Sequence, residues 1–571
     1  LRQPKLKLAG KGYIPSALYA VIVIFFTAFF LYPLWLAVRE GFMLNGAWSP
    51  YWIKTILTDQ LLMRKLVNSL NLAFTTTILT LILSLPIAIL LTGRKFAGKA
   101  SVNMLILLPL ILPPFVGALS VKRFFAQHGT LNQILINSGL LDFSQAYDWL
   151  GTGFIAVVIL QVLHLYPIMV LNISSSMANL DPMYYEASRS FGAGKLRTFT
   201  RITLPLIRPG IFAGSSIVFI WAFTDIGTPL IFDYNELAAV KIFNELKQSN
   251  IDGSAYGFVF IILIITILLY IVGKFVLGKP VAVDSTKAGN SSEEKKYGPL
   301  GTGLAWLFIG IVMVMSLLPH IGVVLTALSD RWMNTVLPES YTLEHLRDVV
   351  MRPQTRNCII NSLKYASVST TIDLVIGITA AWLIIRKKIS GSHLLDGILM
   401  LPLAVPGLIL AAGFITLTAP GTALAKIGPM YNPFWIIIIA YSVRRVPFVV
   451  RGICSGLEQI PETLEHAAQN LGANKFTSFK RITLPLIVSN VIGAGILTFS
   501  FAMLEVSDSL VLAQQQQHYP ITKQMYAAID ANPDSINIAS ALGLVGMLLL
   551  GGGLFGASLA MGKRLGAIFK V

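Results

Sequence analysis

The chain has 571 residues, of which 55% are hydrophobic and only 12% charged, and its mean hydropathy is +0.70. A soluble chain carries about 25% charged residues, so this composition excludes a soluble enzyme, a nucleic-acid-binding protein and a disordered scaffold. The 44 Lys and Arg against 27 Asp and Glu, a net charge of +17, fit a membrane protein whose inner loops collect basic residues.

A helix needs about 20 apolar residues to cross about 30 Å of hydrocarbon. In chain order the first such runs are 16–38, 69–92, 102–121, 153–174, 210–232 and 256–278. Six more follow at 302–328, 362–385, 394–417, 433–454, 489–512 and 538–561. The runs are continuously apolar rather than alternating, which calls for helices and not a barrel. The expected fold is an all-α integral membrane protein of about 12 transmembrane helices. The first run follows Lys5, Lys7 and Lys11 but is too long for the apolar region of a signal peptide, so it counts as a span. Cys358 and Cys454 are too few for a disulfide framework or a thiolate metal site, and the expected topology puts them on opposite sides. With the N-terminus inside, 29 of the 44 Lys and Arg fall on the inner side, which orients both termini to the cytoplasm.

The sequence repeats itself. Asn68-Ser69-Leu70 recurs as Asn361-Ser362-Leu363, and Leu108-Pro109…Pro113 recurs as Leu401-Pro402…Pro406, both at an offset of 293. The heptapeptide from Arg201 to Ile207 recurs unchanged from Arg481 to Ile487 at an offset of 280, the first copy holding 13 more residues within 124–153. Each copy has six expected spans, an even number, so the two lie parallel and are related by an axis along the membrane normal. The expected organisation is a six-helix half at 1–278, a linker at 279–301 and a second six-helix half at 302–571. The linker is polar, charged and rich in Gly and Ser, with no apolar face to bury.

The loop between the fourth and fifth spans is the strongest functional signal. The first copy runs from Glu186-Ala187 through Gly192-Ala193 to Phe199, Ile202 and Leu204-Pro205. The second runs from Glu465-His466-Ala467 through Gly472-Ala473 to Phe479, Ile482 and Leu484-Pro485. This reads as a short helix, a glycine stop at positive φ, and a second helix ended before proline. Phe199 and Ile202, like Phe479 and Ile482, share one face, and a helical elbow of this kind suits a groove on a partner. The pattern E-A-A-x-x-x-G-A followed by F-x-x-I-x-L-P resembles the coupling loop of ABC-importer permeases. Over its whole length the chain resembles the fused permeases of the ferric-iron, thiamine and aminoethylphosphonate group. That resemblance implies docking of both loops on two copies of an ATPase subunit, and delivery of solute by an extracytoplasmic binding protein. It also implies a bacterial inner-membrane location, with a small charged solute and ferric iron as the first choice. One departure stands out: His466 occupies the position of Glu186. No phosphate-binding loop of the G-x-x-x-x-G-K-[ST] form occurs, so ATP and magnesium are expected in the ATPase subunits, with no cofactor, metal site or catalytic residue here. The competing class is an ion-coupled secondary transporter, which also has two parallel six-helix halves. Its acidic-basic motif belongs after the second span, where 93–101 carries no acid.

Ionisable groups inside the membrane cost at least about 2.5–3.5 kcal/mol each and are candidates for the pathway or its gate. These are His164, Asp225, Arg444, Arg445, Glu505 and Asp508. At the 280 offset His164 matches Arg444 and Asp225 matches Glu505. Arg444 and Glu505 are expected to pair if the tenth and eleventh spans meet. His320, His393 and His518 fall near span ends and are expected to be solvated. The basic-residue asymmetry is checked by a single cysteine at Ser291, with Cys358 and Cys454 replaced. It should resist an impermeant thiol reagent in intact cells, and ready labelling would reverse the orientation.

Overall fold

The computed structural model describes residues 13–276, 298–531 and 535–561, except 94–95, 97, 111, 152, 179, 182 and 249–252. Most of the expected linker, with Ser291, lies outside the described residues. The fold is all-α: the described strands are two short hairpins, Met43–Leu44 with Ala47–Trp48 and Ser329–Arg331 with Ser340–Tyr341, each following the first span of a repeat.

The first repeat comprises α1 (Tyr13–Glu40), α2 (Gln60–Gly93), α3 (Pro114–Phe125), α4 (Phe154–Ala178), α5 (Met183–Ser190), α6 (Lys195–Thr224), α7 (Ala238–Leu246) and α8 (Gly253–Val276). The second comprises α9 (Pro299–Leu328), α10 (Pro353–Lys387), α11 (Gly407–Leu417), α12 (Phe434–Glu458), α13 (Thr463–Asn470), α14 (Lys475–Met503), α15 (Ser507–Leu512), α16 (Ile521–Ala531) and α17 (Ile536–Met561). Among the described residues eight helices are long and apolar enough to cross a membrane, or ten if two bent pairs each count as one span. Of the twelve expected, α12 falls outside that count with its arginines, and α17 with its shorter described apolar length.

The bent pairs are the third and ninth spans, which the repeated proline pairs Pro109/Pro113 and Pro402/Pro406 are expected to bend, and the turn is nearly a right angle. The chain turns by 93° ahead of α3 and by 99° ahead of α11. Proline is the cause: it donates no backbone hydrogen bond and disfavours helix in the residue before it. Pro113 and Pro406 are extended, with ψ of 132° and 140°. The fifth and eleventh spans are also shorter at their C-terminal ends than expected. They stop at Thr224 and Met503, and short helices resume at Gly227 and Ser507.

In hydrocarbon, helices associate through close packing and internal hydrogen bonds rather than apolar burial. Ser69, Ala73, Thr76, Thr80 and Ser84 repeat at helical spacing on α2 and are all buried. Their counterparts on α10 are Ser362, Ala366, Ser369, Asp373 and Gly377. These small seams let α2, α4 and α6 pack mutually, and α10, α12 and α14 do the same. The repeated Asn-Ser-Leu motif has a local purpose. Ser69 Oγ accepts the Ala238 N–H at 2.9 Å and caps α7, and Ser362 Oγ accepts the Ile521 N–H at 2.8 Å and caps α16. The repeats also exchange their first helices, α1 packing on α11 and α9 on α3. Cys358 and Cys454 are both free and buried.

Candidate functional site

Both elbows are built by the same backbone device. In the first, Gly192 stands at φ +72°, its N–H bonds to the Arg189 carbonyl at 2.9 Å, and the Ala193 N–H bonds to the Ser188 carbonyl at 3.0 Å. In the second, Gly472 stands at φ +91°, and the N–H groups of Gly472 and Ala473 bond to the carbonyls of Gln469 and Ala468, each at 3.0 Å. This pair of bonds closes a helix end around a left-handed residue. The expected positive φ at both glycines is present.

Beyond the bend the chain departs from expectation. The second elbow helix does not end before Pro205 or Pro485 but runs on into the span, giving the 30-residue α6 and the 29-residue α14. A wide π turn at Phe199–Thr203, and at Phe479–Thr483, precedes each proline. It displaces the carbonyls the proline ring would otherwise strike. Each elbow is thereby continuous with a membrane helix.

The outward surface of the elbows is also different from the one expected. Phe199, Ile202, Phe479, Ile482, Leu204 and Leu484 are half-buried, as are Ala193 and Ala473. The bulky apolar groups that stand free are Phe191 (90% exposed) and Leu196 (77%), with Leu471 (90%) and Phe476 (73%) at the same places in the second copy. Sequence reasoning missed them because they flank the glycine instead of following helical spacing. Glu186, Ala187, His466 and Ala467 are exposed, so His466 presents its ring where the first elbow presents a carboxylate. Glu465 is turned inward and bonds Arg386 Nε at 2.8 Å and Thr483 Oγ1 at 2.8 Å. It ties the elbow to the end of α10 and does not replace the outward carboxylate.

The intramembrane charges form one cluster, in the second repeat. Arg444 Nη1 donates to Glu505 Oε1 at 2.7 Å and to Asp508 Oδ2 at 3.1 Å. Arg445 Nη2 binds Glu505 Oε2 and donates to the Phe501 carbonyl at 2.8 Å. The expected pair therefore exists, but both partners belong to the same repeat. Asp373 is wholly buried in the α10 seam, bonded to Ser442 Oγ. It was not singled out in the sequence, although an acid inside an apolar run was the available signal.

The matching residues of the first repeat do not assemble a charge cluster. Asp225 accepts from Gln161 Nε2 at 3.1 Å, and Thr76 Oγ1 donates to Gln161 Oε1 at 3.1 Å. His164 is not joined to Asp225. Its Nδ1 lies 2.8 Å from the Pro109 carbonyl, and His320 Nε2 lies 3.2 Å from the Leu108 carbonyl. The two rings thus meet carbonyls released by the break ahead of α3, and His320 is half-buried there rather than solvated. Among the described residues no group of three or more His, Cys, Asp or Glu could hold a metal ion.

The sequence is similar to those of known proteins. The family described as the binding-protein-dependent transport system inner membrane component matches residues 81–278 and 373–565. The putative ferric transport system permease protein FbpB 1 of Haemophilus influenzae is 26% identical over 533 residues, covering 90% of this chain and 80% of its own. The ferric transport system permease protein FbpB of Actinobacillus pleuropneumoniae is 26% identical over 521 residues, covering 88% and 72%. A bacterial ABC transporter involved in import of the acidic polysaccharide alginate aligns at a TM-score of 0.36 and 18% identity, over 45% of this chain and 96% of that one.

Removing one member of a buried ion cluster leaves the others unpaired and costs about 3–5 kcal/mol. Arg444→Ala should therefore lower expression and the unfolding temperature in detergent by a large margin. Asp225→Asn, whose partners Gln161 and the Gly227 N–H carry no charge, should change either by little. Equal effects of the two variants in a thermal unfolding assay would contradict this asymmetry.

Proposed function

The chain belongs to the family of binding-protein-dependent transport system inner membrane components, and we propose on that premise that it is the fused permease of an ATP-driven importer of ferric iron. The observation that carries the coupling reading is the matched pair of elbows. Each presents two free bulky apolar side chains around a closed glycine bend, and each is continuous with a helix about 45 Å long by its rise. A push on such an elbow moves a whole span. The two copies call for two ATPase subunits on the cytoplasmic face, each taking one elbow in a groove, and those subunits bind ATP and magnesium and perform the hydrolysis. The opposite face receives the solute-binding protein. In this arrangement the elbows, the linker and both termini are cytoplasmic, in a bacterial inner membrane. Ferric iron is the cargo favoured by the two ferric-transport relatives, each matched over more than two thirds of its own length.

Membrane vesicles containing the assembled transporter should accumulate ferric iron only with ATP inside and the binding protein outside. Uptake driven by a proton or sodium gradient without ATP would overturn the reading in favour of a secondary transporter.

The elbows give a sharper test. A β-branched residue at positive φ costs about 1–2 kcal/mol, equivalent to about tenfold in a population. Gly192→Val should reduce ATPase subunit recovered with the purified chain by about that factor, with insertion unchanged. Gly472→Val should do less, because His466 already alters that elbow. Normal recovery and transport in both variants would refute the coupling assignment.

A further inference from the structure

Residues related by the repeat can touch each other only if both lie close to the axis that relates the two copies. Among the described residues three such pairs occur, at and beyond the ends of the long spans away from the elbows. At the 280 offset, Trp221 on α6 meets Phe501 on α14, edge to face, with ring centroids 6.3 Å apart. At the 283 offset set by the Ser69 and Ser362 caps, Phe243 on α7 meets Tyr526 on α16 at 5.8 Å, also edge to face. One helical turn further on, at the same offset, Lys247 Nζ lies 3.7 Å from Asp530 Oδ2. The same ammonium is 3.3 Å from the Tyr526 hydroxyl oxygen and stands 4.6 Å and 4.7 Å from the Phe243 and Tyr526 ring centroids. It is thus held between both rings as well as paired with the acid.

These contacts are local. Trp221 and Phe501 sit three and two residues before the ends of their helices, and α6 and α14 do not pack side by side along their lengths. The repeats therefore close on the axis at the far end from the elbows. Phe448 of α12 backs Phe501 at 5.2 Å, bracing the inner pair. Both members of that pair are half-buried.

We propose that the translocation pathway follows this axis and that its resting state is sealed at two levels. The inner seal is the Trp221–Phe501 pair, and the outer seal is the Phe243–Tyr526 pair locked by Lys247 and Asp530. The proposal deepens the transport reading, on which it rests, by assigning the pathway to residues other than the Arg444 cluster. A fused chain makes the outer lock feasible. Two identical subunits would place like with like at the axis, two lysines or two aspartates, whereas unequal repeats can place opposite charges there. To open, α7 and α16 must part, which breaks one ion pair, the cation–ring contact of Lys247 with Tyr526 and one ring pair together.

The test uses the full transporter with its ATPase subunits and binding protein, Cys358 and Cys454 replaced by alanine, and a protease site inserted at Ser291. Two double variants, Trp221→Cys/Phe501→Cys and Phe243→Cys/Tyr526→Cys, are treated with a short, reducible bifunctional thiol reagent and then cleaved. Without nucleotide the two halves should remain joined in both variants. Trapping with ATP and vanadate before the reagent should reduce joining at least severalfold at the outer pair. Cross-linking at rest should abolish transport, and reduction should restore it. Joining that is absent at rest, or that leaves transport intact, would overturn the proposal. The cysteine-free parent separates the two readings: if its ATP hydrolysis does not respond to the binding protein, the importer reading fails, while joining at rest still reports the seal. Since a cysteine pair can loosen the packing, the charge reversal Lys247→Asp/Asp530→Lys is measured alongside. It should retain more binding-protein-dependent ATPase control than either single change, and equal loss in all three would also overturn the lock.

Discussion

A backbone that leaves the helix inside hydrocarbon must have its released carbonyl and amide groups met by the protein itself. This chain breaks its spans at matched places in each repeat, and two of the breaks, ahead of α3 and after α14, are answered by side chains from other segments. His164 and His320 lie against the carbonyls of Pro109 and Leu108. Arg445 answers the Phe501 carbonyl, Thr522 the Glu505 carbonyl at 2.6 Å, and Lys523 the Leu510 carbonyl at 2.8 Å. His320 comes from α9, the first helix of the second repeat, and it serves a break in the first. The exchange of first helices is therefore tied to this break: the second repeat supplies part of the cover that the first repeat's broken span requires.

The same constraint has two solutions in the two copies. In the first repeat Thr80 occupies the seam position, and Gln161 and Asp225 complete a network with one acid. In the second, Asp373 occupies that position and bonds Ser442, while Arg444, Arg445, Glu505 and Asp508 form a cluster of four ionisable side chains. A buried cluster of that kind tolerates the loss of no single member, whereas the polar network can absorb a neutral replacement. The ionic cluster lies between helices of one repeat, so it fixes how α10, α12 and the break after α14 sit together. The inner contact on the repeat axis, Trp221 with Phe501, is purely aromatic, and an aromatic contact can part without stranding a charge in the membrane.

Motion between these parts is constrained by continuity. The elbow helix, the π turn and the span form one helix in each repeat, so a displacement at Gly192 or Gly472 is carried to Trp221 or Phe501 with no intervening hinge. Each helix ends only at the break beside Asp225, or beside Glu505. There the chain turns into the short helices that lead to the outer seal. Glu465 bonded to Arg386 adds a second attachment in the second repeat, joining that elbow to α10 as well as to α14.

Much of this was legible in the sequence. Continuous apolar runs specify helices in a bilayer, a repeated heptapeptide specifies two like halves, and the residues around Gly192 and Gly472 specify a bend at positive φ. Those are properties of short stretches of chain, where backbone preference and hydropathy act locally. The proline pairs announced bent spans, though not right-angle breaks, because the size of a turn depends on what accepts the freed carbonyls. The pairing of Arg444 with Glu505 was anticipated, but Asp373, the inward turn of Glu465 and the exposure of Phe191 and Leu471 were not. The contacts on the repeat axis joined residues 280 and 283 positions apart. Local preference does not fix contacts at such separations; they follow from how two folded repeats close on each other, and only the tertiary structure decides that.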